Sequence, residues 1–481
     1  MNLFSFILAL LSLLSGNIQF IIYYSFLLYF SYKSYKKTSS IIPYLFSFLI
    51  AFPVSFIGET VWDRNIIYIF SIFFLLMTYK KKQSYINTTA WQNIILFFFV
   101  VAALIIYIPI LVETYLNLGI FTGPEELFIS NHRDSHMLGF ALPMITGPLL
   151  ILAVIKTFND RVDFENLYRF VNFLTWIVVI FSLIRYVIQI EFIPQSYLES
   201  IRNDGFRLSG FNQPDSIGYG KMLIIPLGLT LSYSMSKLKS HKDVYLLFFI
   251  LISLFLTYSR IIIASSIFIL LVIALYNFKI AVILKSSLYL FVVFAIIFFS
   301  GGIEKLTSRS TSSTNVSGIN MSGRDLIYET GIPIVAASPY VGLRPGGYVS
   351  MLQKGYYYTS QQGYTGLMVV QSAHSFYLVI ALEWGLPLLC FIIVIMLHCI
   401  YLLHLTIRLT SKYSFFEGFP SIRIWSVAVI ALIVGLLILG ITDFISYPFI
   451  FFLIGLSWSL YLIVKKTVFQ HLRLTELNHT K

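Results

Sequence analysis

Four arginines, one lysine and one histidine are the residues whose placement suggests chemistry. Arg260 interrupts an apolar run from Val244 to Phe278, in Tyr258-Ser259-Arg260. Thirty-five residues are too many for one straight span and few for two, so a sharp hairpin is expected there, with Arg260 at or just below a membrane surface. A guanidinium at that depth is costly without an anionic partner or a wet cavity. No acidic residue lies within fifteen positions on either side, which leaves a distant carboxylate, a bound anion or snorkelling to lipid phosphate. Arg207 precedes it, in Arg207-Leu-Ser-Gly-Phe-Asn-Gln-Pro214, a turn-forming loop that re-enters the membrane at once. Lys221 follows near the start of the next helix.

Arg324 lies in Ser322-Gly-Arg-Asp325, which has the form of a helix N-cap box with Ser322 as the cap. That puts Arg324 in a first turn, where free N–H groups favour an anion and a guanidinium fork suits phosphate. Arg344 sits in a tight turn, Gly342-Leu-Arg-Pro-Gly-Gly347. His374-Ser375 opens an apolar run, and an imidazole at that boundary can take a proton near neutral pH. If the run is one helix, Ala381 and Gly385 lie under His374 as a small-residue stripe that another helix can approach. Guanidiniums gathered at one membrane face suit a lipid-linked phosphate or diphosphate. An imidazole beside them suits a hydroxyl that must lose its proton as a diphosphate leaves. Together these describe glycosyl transfer from a lipid carrier. The outer loops hold no Asp-x-Asp and no metal-spaced cluster, so no metal and no other cofactor are expected. Phosphate-cradling glycine motifs are absent as well.

The elements that must hold these residues are membrane helices. The 481 residues are 58% hydrophobic and 11% charged, with a mean hydropathy of +0.84, which excludes a soluble domain. The sequence predicts an all-α polytopic membrane protein with 12–14 transmembrane helices and one large external loop containing short helices. Cys390 and Cys399 share one apolar run, too far apart along a helix to bridge. The net charge of +12 does not imply nucleic acid, because the basic residues form short clusters between apolar runs. One alternating set of loops holds 21 basic and 6 acidic residues; the other holds 12 and 15. The first set, at +15, is therefore cytoplasmic and the second, at −3, is external. The expected divisions are N-terminal transmembrane helices over 1–300, an external loop over 301–373, C-terminal helices over 374–464 and a cytoplasmic tail over 465–481.

From Arg207 to Leu388 the chain resembles the O-antigen ligase/polymerase superfamily. That family's outer loop ends in His, then Asn, Ser or Gln, nine residues, Gly, two residues, then Gly, Thr or Tyr. Here His374-Ser375, nine residues and Gly385 match, and Leu388 departs at the last position. Ser259-Arg260 is similar to the family's Ser-Arg after an outward helix. Arg207, Gly210, Asn212 and Pro214 resemble its Arg…Gly…Asn-Pro loop, with Gln213 inserted. Arg324, Ile327-Tyr328, Pro339 and Gly342 resemble a further helix-and-turn motif, with Arg344 where a second glycine is expected.

The resemblance implies a GT-C-like fold and a metal-independent, inverting transferase in the bacterial inner membrane, with its site on the periplasmic side. The donor would be an undecaprenyl-diphosphate-linked oligosaccharide. Arg207, Arg260 and Arg324 would hold the diphosphate, and His374 would position or deprotonate the acceptor hydroxyl. Arg344, Lys221, Ser375 and Tyr328 are candidate accessory residues. The departure at Leu388 and the richness in Phe, Ile, Tyr and Lys resemble the divergent polymerases more than the ligases, which transfer glycan to lipid A core. Membrane lipid is an expected partner, and a chain-length regulator is one the resemblance allows. A transporter of the same lipid is the alternative of another class. It predicts internal repeats and mid-depth charges, which the sequence lacks.

Overall fold

A computed structural model describes residues 147–152, 154–155, 158, 161–188, 208, 216–236, 241–277, 324–343, 375–441 and 447–479, with scattered positions between 92 and 101. Among the described residues the chain is helical, with no strand. The longer elements are α1 (Arg161–Ile188), α2 (Ser216–Ser234), α3 (His241–Leu256), α4 (Arg260–Asn277) and α5 (Arg324–Ala337). They continue with α6 (Phe376–Trp384), α7 (Leu386–Lys412), α8 (Phe419–Leu439) and α9 (Tyr447–His479).

Four described helical segments are long and apolar enough to cross a membrane: Asp163–Ile184, Leu386–Lys412, Phe419–Ile441 and Phe449–Thr475. The protein is an all-α polytopic membrane protein. The expected spans before residue 137, and the one over 280–300, fall almost wholly outside the described residues. The stretch after Lys465 is helical as far as His479, as the continuation of α9.

The core is a bundle in which α8 is the central element. Residues on every side of it are buried, among them Trp425, Ala428, Ile430, Leu432, Ile433 and Leu436. A helix apolar all round has no wet face and must be surrounded. Small residues let neighbours come close. Gly435 lies against Ile269 of α4, and the Ser265 hydroxyl donates to the Gly435 carbonyl at 2.7 Å. Gly228 of α2 lies against Leu432.

These contacts fix the register. Ser265 is five residues into the bundle from Arg260, and Gly435 is five residues short of Gly440. Arg260 and Gly440 are therefore level, and α8 runs antiparallel to α4. At the opposite end the Tyr233 hydroxyl meets that of Ser421 at 3.3 Å. Lys242, Lys412 and Arg423 lie toward that basic end. The other is the hairpin end.

The apolar run after His374 departs from the expected single helix. It is two helices, broken at Gly385. The Tyr276 hydroxyl meets His404 Nδ1 of α7 at 3.3 Å. Sixteen residues separate Arg260 from Tyr276, and sixteen separate Leu388 from His404. So α7 begins level with Arg260. It has 27 residues, about 40 Å, and spans the bilayer alone. Both ends of α6 are then at one level, and α6 lies across the hairpin end of the bundle.

Candidate functional site

The site region starts at the α3–α4 hairpin. The turn is closed by Tyr258 N–H donating to the Phe255 carbonyl at 2.9 Å and by the Thr257 hydroxyl donating to Leu254 O at 2.6 Å. Tyr258 has φ 49°, a left-handed conformation rare for a bulky residue. The buried position of its side chain holds it there. Ser259 is the last residue before α4, and its carbonyl accepts the first intrahelical bond, from Ile263 N at 3.0 Å. Arg260 is the first residue of α4 and is exposed. The expected hairpin is present at the expected residues.

Two further stretches attach to this hairpin. Leu208, the residue after Arg207, is buried, and its N–H donates to the Leu256 carbonyl at 2.9 Å. Leu208 is thus tied to the last residue of α3, four positions before Arg260. Gly220 of α2 faces Ile262 of α4 so closely that an added Cβ would be 2.9 Å from its side chain. Lys221, next along α2, is held at the same level.

Across from the hairpin, α6 is capped and pinned. Ser375 is its N-cap, extended at φ −144° and ψ 123°, and its hydroxyl accepts from Leu378 N at 3.4 Å. The same hydroxyl reaches the Gly440 carbonyl at 3.3 Å, and Phe376 N–H donates to that carbonyl at 2.9 Å. The start of α6 is therefore bound to the end of α8. His374 immediately precedes the cap.

The spacing of His374-Ser375, nine residues and Gly385 now has a physical meaning. The nine residues are α6 itself, Phe376–Trp384, and Gly385 is its C-cap. Gly385 has φ 82° and ψ 168°, and an added Cβ would lie 2.4 Å from the Tyr340 carbonyl oxygen. Its role differs from the expected small-residue stripe. It is the break between two helices, and its missing side chain admits a neighbouring backbone.

That neighbour is the turn after α5. Gly342, at φ 68°, would place a Cβ 2.6 Å from the Leu382 carbonyl oxygen. Leu343 N–H donates to Leu382 O at 2.6 Å, and Leu386 N–H donates to Pro339 O at 2.8 Å. Within the turn, Gly342 N–H donates to Ser338 O and the Ser338 hydroxyl to Gly342 O. Earlier in α5, Gly331 lies against Leu378. The Tyr328 hydroxyl donates to the Ile441 carbonyl at 2.5 Å. Contacts that advance together, 331 with 378 and 339–343 with 382–386, show that α5 runs alongside α6 in the same direction. Both helices start near the end of α8.

The candidate residues are therefore distributed as follows. Arg260 and Lys221 share the hairpin end, and both engage in interactions there. Arg324 opens α5 and so lies in its first turn, as expected; Ser322, the expected cap, lies outside the described residues. Ser375 and Tyr328 are bound to the end of α8. Arg207, His374 and Arg344 are outside the described residues; Leu208 and Ser375, the neighbours of the first two, attach to this same end. Sequence reasoning missed Tyr377, whose hydroxyl donates to the Leu437 carbonyl at 2.6 Å. Only its place two residues after the cap could have signalled it.

Residues 245–393 match the family model Wzy_C, described as O-Antigen ligase. The match makes this segment similar to the O-antigen ligase/polymerase superfamily. It runs from α3 through the hairpin, α5 and α6 into the first turns of α7. It includes Arg260, Arg324 and His374, while Arg207 and Lys221 lie outside it. The match supports a general enzymatic role of ligase or polymerase type, with lipid-linked oligosaccharide as the substrate class the family implies. No curated protein matches the chain at a significant level.

Proposed function

We propose that the protein is a polysaccharide polymerase. It joins undecaprenyl-diphosphate-linked oligosaccharide repeat units at the periplasmic face of the bacterial inner membrane. The observation that carries this reading is convergence. The Arg260 hairpin, the loop next to Arg207, the start of α5 at Arg324 and the cap next to His374 all attach to one end of one bundle.

In the proposed reaction Arg207, Arg260 and Arg324 grip the donor's diphosphate, each offering a planar fork to phosphate oxygens. His374 accepts the proton of the acceptor hydroxyl. The hydroxyl oxygen forms the new bond to the anomeric carbon. The bond from that carbon to the diphosphate breaks, and undecaprenyl diphosphate leaves with the electron pair. Attack opposite the leaving group inverts the anomeric configuration. Lys221 and Arg344 add positive charge near the leaving group. Ser375 fixes the helix that His374 precedes, and Tyr328 fixes the helix that Arg324 begins. The expected divisions, with an external loop over 301–373, follow the same sidedness.

Supplying purified protein with lipid-diphosphate repeat units and either lipid A core or no other acceptor separates the readings. A ladder of lengthening glycan on repeat units alone supports the polymerase. Transfer only when lipid A core is present would replace it with the ligase. No transfer with either, together with movement of the lipid between leaflets, would favour a transporter.

A further inference from the structure

The last carbonyls of a helix have no donor in the helix itself and must be satisfied from outside. At the end of α8 two are met locally, Leu436 O by Gly440 N at 2.8 Å and Ile438 O by Ile441 N at 3.2 Å. Three others accept from α5 and α6. Leu437 O takes the Tyr377 hydroxyl, Gly440 O takes Phe376 N–H and the Ser375 hydroxyl, and Ile441 O takes the Tyr328 hydroxyl. One face at the end of the bundle's central helix thus holds two short helices near their starts. α8 is in turn locked to α4 by Ser265 donating to Gly435 O, one turn below Arg260.

We infer that Tyr377 is a positioning residue for the transfer proposed above: its hydroxyl sets the start of α6, and hence the imidazole preceding it, relative to the Arg260 hairpin. The inference rests on that proposed function. Three features single out Tyr377. Its hydroxyl reaches past Gly440 into the last turn of α8. The turn after α5 holds the far end of α6 through Leu382 and Leu386, and Tyr377 with the bonds at Gly440 holds its start, beside the residues that precede the cap. It is only half-buried, so loss of its hydroxyl leaves the ring in place and removes one bond. Phe376, edge-on to it at 5.8 Å, is fully buried and holds the backbone on the bundle.

The test is Tyr377→Phe in the purified full chain, assayed for chain growth on lipid-diphosphate repeat units. Tyr233→Phe is the matched control, since it also removes a hydroxyl contact to α8, from Ser421 at the basic end. The expected result is a fall in kcat on the order of 10-fold or more, because small misplacements of reacting groups cost that much. The KM for the donor should stay within about twofold, as expected when transition-state geometry alone is lost. Tyr233→Phe should keep its kcat, and Tyr377→Ser should not restore it, because its shorter side chain cannot reach Leu437. Equal kcat losses in both Tyr→Phe variants would reduce Tyr377 to a structural role and overturn the inference. Undiminished kcat in Tyr377→Phe would overturn it as well. A His374→Ala arm separates the two levels. If it is inactive while Tyr377→Phe is normal, only the positioning role fails. If it is fully active, the proposed mechanism fails.

Discussion

Replacing Gly385 with alanine should disable the protein without unfolding the bundle. Gly385 sits at φ 82° and ψ 168°, where a residue with a Cβ carries about 1–3 kcal/mol of backbone strain. The new Cβ would also be 2.4 Å from the Tyr340 carbonyl oxygen and 2.6 Å from its carbon. Both are backbone atoms, so relief requires the turn at 338–343 to move as a unit. That movement breaks Leu386 N to Pro339 O and Leu343 N to Leu382 O, and each group left buried without a partner costs about 1–3 kcal/mol. The total is on the order of 3–9 kcal/mol, concentrated on one turn. Gly228→Ala is the contrast. Its Cβ would be 2.9 Å from a leucine methyl, which can rotate away, and its backbone is already helical. Hydrogen exchange in nanodiscs should show faster exchange over 338–343 in Gly385→Ala, unchanged protection in α8, and chain growth reduced at least about 10-fold. Gly228→Ala should keep most of its activity. Wild-type exchange and chain growth in Gly385→Ala would refute the reasoning.

Arg260→Ala should raise the KM for the donor by roughly 10- to 100-fold, the worth of about 1.5–3 kcal/mol in charge-assisted bonds to a diphosphate, and Arg260→Lys should recover only part of it. Titration with lipid diphosphate checks this; an unchanged KM would remove Arg260 from the donor site. At the other end, the Thr230 hydroxyl donates to Asn172 Oδ1 and Asn172 Nδ2 donates to Asp243, each at 3.1 Å. Asn172→Ala should therefore lower the thermal midpoint, at a cost of about 1–3 kcal/mol, with kcat unchanged in the folded fraction. A midpoint equal to wild type would show that the network contributes nothing. Single cysteines at Lys412 and Arg260, in a background lacking Cys390 and Cys399, should differ toward an impermeant thiol reagent applied outside. Arg260→Cys should react and Lys412→Cys should not; the reverse would invert the sidedness.

Much of the hairpin end is legible in the residues. A run too long for one span, interrupted by Tyr258-Ser259-Arg260, has no other good solution than a tight turn. His374-Ser375 marks where an apolar run opens, and the box Ser322-Gly-Arg-Asp325 puts Arg324 in a first turn. These are local signals, set by backbone donors and side chains a few positions apart. The break at Gly385 is not local. Glycine within an apolar run reads as a close-packing position on one helix, and nothing between Leu382 and Leu389 is polar except Glu383. Its left-handed geometry is demanded by the Tyr340 carbonyl, 45 positions away in the chain. The same holds for Leu208 on Leu256 and for Tyr377 on Leu437. Pairings of backbone groups across helices leave no periodicity to detect.

The claim beneath all of this is that the imidazole of His374 and the guanidinium of Arg260 share one end of the bundle. Spin labels at His374→Cys and Arg260→Cys, in the cysteine-free background and in nanodiscs, measure it by pulsed resonance. A separation well below the roughly 30 Å thickness of the hydrocarbon core is the predicted result. A separation at or beyond that thickness would contradict it.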